Sequence, residues 1–136
     1  MIGVKEMSYN GSIINESSTV SFKVKEDLTG AAFTAVALTD GGVSTATDST
    51  VAIGILTAEH ELPIVAGDDV TVQVKDISSW LVGEEVKAGD LLKVGTGGVA
   101  MKATSGKFVL AQALENGTKD SAIQVQIIKS GFMPAS

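Results

Sequence analysis

The sequence predicts an all-β fold, a small β-sandwich or barrel-like domain of short antiparallel strands. Three observations carry this. Apolar and polar residues alternate along several short segments, glycine clusters interrupt the chain between them, and capped helical spacing is nearly absent. The 15 glycines against 2 prolines suit many tight turns and few rigid linkers. Aromatic residues are only 4% of the chain, so the core has to be assembled from Val, Ile, Leu and Ala. At 136 residues the chain makes one domain and buries roughly two thirds of its unfolded surface.

Taken in order, residues 1–18 (MIGVKEMSYNGSIINESS) form an N-terminal arm ahead of a β domain over 19–130. Val20, Phe22 and Val24 then share one face of a first strand. Val70, Val72 and Val74 do the same further on, as do Ile123, Val125 and Ile127. Such strands turn one face to a core and the other to water or a partner. Breakers fall at Asp40-Gly41-Gly42, Ala66-Gly67-Asp68, Gly95-Thr96-Gly97-Gly98 and Asn116-Gly117. The best helical segment is 76–83, a single turn at most. The stretch AGDLLKVGTGGVAMKA at 88–103 is predicted as two brief strands around a turn. Residues 131–136 form a C-terminal tail.

Two similar β-units, over 28–75 and 86–129, are also predicted. The Gly-Gly-Val turns at 41–43 and 97–99 lie 56 residues apart, and the closing strands that start at Val70 and Ile123 lie 53 apart. The competing reading is that any glycine-rich β chain yields such matches. The segment 66–89 lies between the units and holds the only tryptophan, Trp80.

Composition removes several functions. The net charge is −6, and all ten basic residues are lysine. Phosphate and guanine recognition call for a basic face, preferably with arginine forks, so nucleic acid is not an expected partner. No segment approaches the ~20 apolar residues of a membrane span, so no membrane is expected either. Cysteine is absent, which removes disulfides, thiolate metal sites and a cysteine nucleophile. Without a secretion signal, the sequons at Asn10, Asn15 and Asn116 read as chance.

No catalytic constellation emerges, and no enzyme, cofactor or metal is expected. His60 stands alone between Glu59 and Glu61, and a transition-metal site there would need ligands from elsewhere. Asp40, Asp48, Asp68 and Asp69 lack the spacing of a calcium loop, and turn aspartates more commonly bond their own backbone. The Gly95–Gly98 run is followed by no Lys-Ser/Thr and is no phosphate cradle. Glu84 and Glu85 are adjacent, so on a strand they point to opposite faces. What remains is surface. The two ends carry the tyrosine, one of four Phe and three of four Met, side chains that commonly order against a neighbour.

The stretch 88–103, with FVLAQAL and IQVQI after it, resembles the second half of tailed-bacteriophage capsid decoration (cement, head-stabilising) proteins. The residues that carry the likeness are Val86, Gly89-Asp90-Leu91-Leu92, Gly98-Val99, Ala111, Ala113-Leu114-Glu115, Val125 and Ile127. Leu110 departs from the pattern, where a glycine is expected. The likeness spans 86–128, about a third of the chain. It implies a structural protein made in the host cytoplasm that trimerises on the outer surface of the virion head, binds the major capsid protein and stabilises contacts between its subunits. On this reading Met1, Ile2, Val4, Met7 and Tyr9 contact the capsid, while Trp80, Phe108, Leu110, Gln112, Leu114 and Phe132 line the homotrimer seam. The alternatives are another virion component, such as a head fibre base or tail subunit, and a carbohydrate-binding β-sandwich. The last needs Trp80 and Tyr9 on one stacking platform.

Overall fold

Ten strands make up the described part of the computed structural model, which covers residues 17–28, 32–57 and 64–134. The first five are β1 (Thr19–Lys23), β2 (Ala35–Thr39), β3 (Gly42–Thr45), β4 (Ala52–Leu56) and β5 (Asp69–Gln73). The next five are β6 (Asp76–Leu81), β7 (Leu91–Val94), β8 (Ala100–Lys102), β9 (Phe108–Ala113) and β10 (Ala122–Phe132). They build two five-stranded antiparallel sheets that stay open, packed as a small sandwich. The only helical piece among the described residues is a single 3-10 turn at Thr96–Gly98.

The strands predicted from alternation are present. Val70 and Val72 of β5 are buried while Asp69 is exposed, and Ile123, Val125 and Ile127 of β10 alternate with exposed Gln124 and Gln126. The stretch 88–103 forms the β7–β8 hairpin around the 3-10 turn, in register from Leu92–Lys102 to Val94–Ala100. One expectation is corrected. Residues 76–81 form an extended strand rather than a helical turn, because six consecutive residues pair with β10, from Asp76–Ile127 to Leu81–Ala122. Pairing with a long neighbour outweighs a weak local helical preference. At the other end, β10 runs through Gly131 and Phe132 before the chain leaves the sheet.

The two sheets follow one strand order. The first reads β1-β5-β4-β2-β3 and the second β6-β10-β9-β7-β8, the same sequence of positions counted from the first strand of each. The correspondence extends to individual bonds. Lys25 N–H donates to the Val43 carbonyl at 2.8 Å as Gly83 N–H donates to that of Ala100 at 2.9 Å. Phe33 N–H donates to Leu56 and Gly89 N–H to Ala113, at 2.9 and 2.8 Å, and both donors have positive φ, 63° and 93°. Single parallel bridges, Val24–Val43 and Val82–Ala100, bring the two edge strands of each sheet together. Each sheet thus curls round its own apolar side chains, such as Val24, Val36, Leu56 and Val72 in the first and Val82, Leu92, Ala113 and Val125 in the second.

The sheets meet through β4, which packs on β6 and β9. Ala35, Ala37, Ala46, Ala52 and Ile55 of the first sheet join one cluster with Trp80, Phe108 and Leu110 of the second. Small alanines on one side let the larger side chains of the other fill the gap. The Leu81 N–H donates to the Phe33 carbonyl at 2.9 Å across the junction. Gly98 is what allows the backbones so close: its φ is +82°, and a Cβ there would lie 2.9 Å from the Ala35 carbonyl oxygen. Within the glycine run of the 88–103 stretch, Gly98 is therefore a packing residue.

Candidate functional site

The feature available for function is an uncharged patch on the outer face of the second sheet. Residues directly opposite in register share a face, so the pairs Gln112–Gln126, Gln126–Ile77 and Gln124–Ser79 place these side chains side by side. Leu114 joins them through its N–H bond to the Gln124 carbonyl, at 3.0 Å, and Ile128 follows Gln126 on the same side of β10. None of these side chains is ionisable, and one carboxylate borders them: Glu115 Oε2 accepts from Gln124 N–H at 2.8 Å. Ile77 is 52%, Leu114 42% and Ile128 36% exposed, so the patch offers apolar area to a neighbour.

Beyond Ile127 the strand β10 bulges. Three residues, Ile128 to Ser130, stand opposite Leu110 alone, and Lys129 takes φ 45° to accommodate them. Partial burial holds the Lys129 ammonium below the usual lysine range by desolvation. The bulge carries Phe132 out to 62% exposure, where its ring meets that of Phe108 edge-on at 5.7 Å.

The six residues expected at a seam are divided by the fold. Trp80 and Leu110 are fully buried and Phe108 nearly so, packed inside the chain's own core, so they have no surface to give a second subunit. Trp80 also donates its Nε1–H to the Gly98 carbonyl at 2.9 Å, and a buried ring is no platform for a sugar. Gln112, Leu114 and Phe132 reach the surface, Gln112 with its Nε2 donating to the Gly89 carbonyl at 3.1 Å. The expected capsid contacts Met1, Ile2, Val4, Met7 and Tyr9 lie outside the described residues, as does His60. Ile77 and Ile128 were missed by sequence reasoning. Ile128 interrupts the polar series of Gln124 and Gln126 on the exposed face of its strand, a signal present in the sequence, and Ile77 lies in the segment read as helical.

Several of the acidic residues are occupied in structural roles. Asp68 Oδ2 accepts from Val65 N–H at 3.0 Å and Asp90 Oδ2 from Lys87 N–H at 2.9 Å, each closing its own turn. Asp69 pairs with Lys23 at 3.0 Å, and Glu84 accepts from Lys102 N–H at 2.7 Å. Asp48 lies 3.8 Å from the Lys93 ammonium and 3.5 Å from that of Lys107, linking the first sheet to the second. Among the described residues no group of three or more His, Asp or Glu is placed to hold a metal ion, and no helix is long and apolar enough to cross a membrane.

No family model matches the chain, and no curated protein matches it. Among solved structures, the N-terminal base of the head fibre protein gp8.5 of bacteriophage phi29 is similar in fold. The TM-score is 0.64 at 19% identity, over 83% of this chain and 95% of that one. The likeness extends across both sheets rather than one.

Proposed function

We propose that this chain is a structural, non-enzymatic protein of a tailed-phage virion. It sits on the outer surface of the head as a homotrimer, binds the major capsid protein and stabilises contacts between capsid subunits. The observation that supports this most is the shared fold with a phage head-fibre base, over nearly the whole of that base. The resemblance of 86–128 to capsid decoration proteins points the same way from sequence alone. The uncharged patch around Ile77, Leu114 and Gln126 supplies a surface for the shell, and the arm over 1–18 a second. Modest contacts per subunit, multiplied by three-fold symmetry, hold such a protein on its lattice.

The test is co-sedimentation with empty capsid shells, using the full chain, a chain lacking residues 1–9 and Leu114→Lys. The full chain is expected in the pellet. The truncation and the charged variant are each expected to weaken binding at least 10-fold. A full chain that stays in the supernatant sinks the proposal. The fold likeness also favours a second reading, the base of a head fibre. Stoichiometry separates the two: a decoration protein approaches the copy number of the capsid protein, and a fibre base falls well below it.

A further inference from the structure

Because the two sheets share one strand order, each surface of the first has a counterpart on the second. The first sheet uses residues 33–35 as a seat for the second. There the Phe33 carbonyl accepts from Leu81 N–H, Gly98 lies against the Ala35 backbone, and Ala46 is fully buried beside them. Matching bonds locate the counterpart. Ala46 N–H donates to Ala35 as Ala103 N–H donates to Leu91, at 3.0 and 2.8 Å, so Phe33, Ala35 and Ala46 correspond to Gly89, Leu91 and Ala103. That second seat is an open depression lined by Gly89, Asp90, Leu91, Lys102, Ala103 and Met133. Its Gly89 carbonyl takes one bond, from Gln112, and a carbonyl has two lone pairs.

The occupant of the first seat indicates what fits the second. It is the end of β6 with the β7–β8 turn, and the counterpart of that edge is the end of β1 with the β2–β3 turn. The bridges Val82–Ala100 and Val24–Val43 align the two, placing Lys23 where the other edge has Leu81. We propose that a second copy of this chain docks this β1–β3 edge into the open seat, head to tail, repeating between chains the junction already made within one. Each side carries one acid and one base, so opposite charges can face each other across the contact. The seat carries Asp90 and Lys102, and the edge carries Lys25 and Asp40, the Lys25 ammonium lying beside Gly41 in the turn. Seat and edge are different surfaces, so the contact is heterologous and closes only as a ring. The proposal rests on the function above for the number of copies alone, three.

Light scattering on the purified full chain, with circular dichroism as a check of folding, tests it. Lys102 and Asp40 both project into solvent, so reversing either charge leaves the core intact. The unmodified chain is expected at three chain masses. Lys102→Glu and Asp40→Lys are each expected to fall to one chain mass at the same concentration. The two together in one chain restore the opposite-charge pairing and the trimer mass. A monomeric unmodified chain overturns the proposal, as do single variants that keep the trimer or a double variant that stays monomeric. Loss of the trimer on removing residues 1–16, with Lys102→Glu unaffected, assigns the contact to the arm and overturns it as well. A monomeric full chain removes the homotrimer from the proposed function as well, single variants that keep the trimer overturn this interface alone, and failure to bind capsid shells leaves the interface untouched.

Discussion

The indole of Trp80 is buried on all sides, and its one N–H is spent on the Gly98 carbonyl. Trp80→Phe leaves that carbonyl without its donor and opens a small cavity. The expected cost is about 2–3 kcal/mol, read from the midpoint of urea unfolding. Gly98→Ala acts on the same junction from the other side. It places a Cβ against the Ala35 carbonyl at a backbone angle that side chains avoid, with an expected loss above about 2 kcal/mol in thermal unfolding. Lys129 holds a left-handed conformation without being glycine, and part of its surface is desolvated. Its folded pKa is lowered, so the penalty on the charged form is present at pH 7, fades as pH rises through that lowered value, and is gone above the ordinary lysine value. Lys129→Gly is expected to raise stability at pH 7 by about 1 kcal/mol, near 4 °C in Tm. The sequence pointed to Trp80 as notable but could not say which way it faced. A buried and an exposed aromatic look alike until the neighbouring strands are placed, and for the same reason Phe108 and Leu110 were read as surface.

At the scale of elements, β1, β5 and β10 were legible because each alternates against water on one side and core on the other. The strand β6 was not. Asp-Ile-Ser-Ser-Trp-Leu carries an exposed Ile77 and a buried Trp80 three residues on, a spacing that suits a helix as well as a strand. What decides is β10, which comes more than forty residues later in sequence and pairs with all six residues. The bulge in β10 was equally hidden, since an extra pair of residues shows only against the partner strand. The link between sheets made by Asp48 is a weak one by comparison. Its carboxylate is 43% exposed, and Asp48→Asn is expected to cost less than about 1 kcal/mol, with most of that difference gone in high salt. A larger, salt-independent loss would assign Asp48 a role beyond these two lysines.

For the whole molecule, composition and alternation sufficed for an all-β sandwich, because they report how many residues face a core. They do not report which outer surface stays bare. The uncharged patch on the second sheet assembles residues from β6, β9 and β10, and no single segment announces it. The shared strand order has a consequence for how the chain reaches this state. While folding, each half is a decoy for the other: β4 meets in β10 a strand of the same polarity and rank as its true partner β5. Only Val74 and Lys75 separate β5 from β6, so the wrong partner is always close at hand. Discrimination falls to features in which the halves differ, above all the eleven residues and bulge of β10 against the five straight residues of β5. Straightening β10 would therefore remove the mark by which the chain tells its halves apart, and the expected sign is a fall in refolding yield through mispaired, aggregating chains.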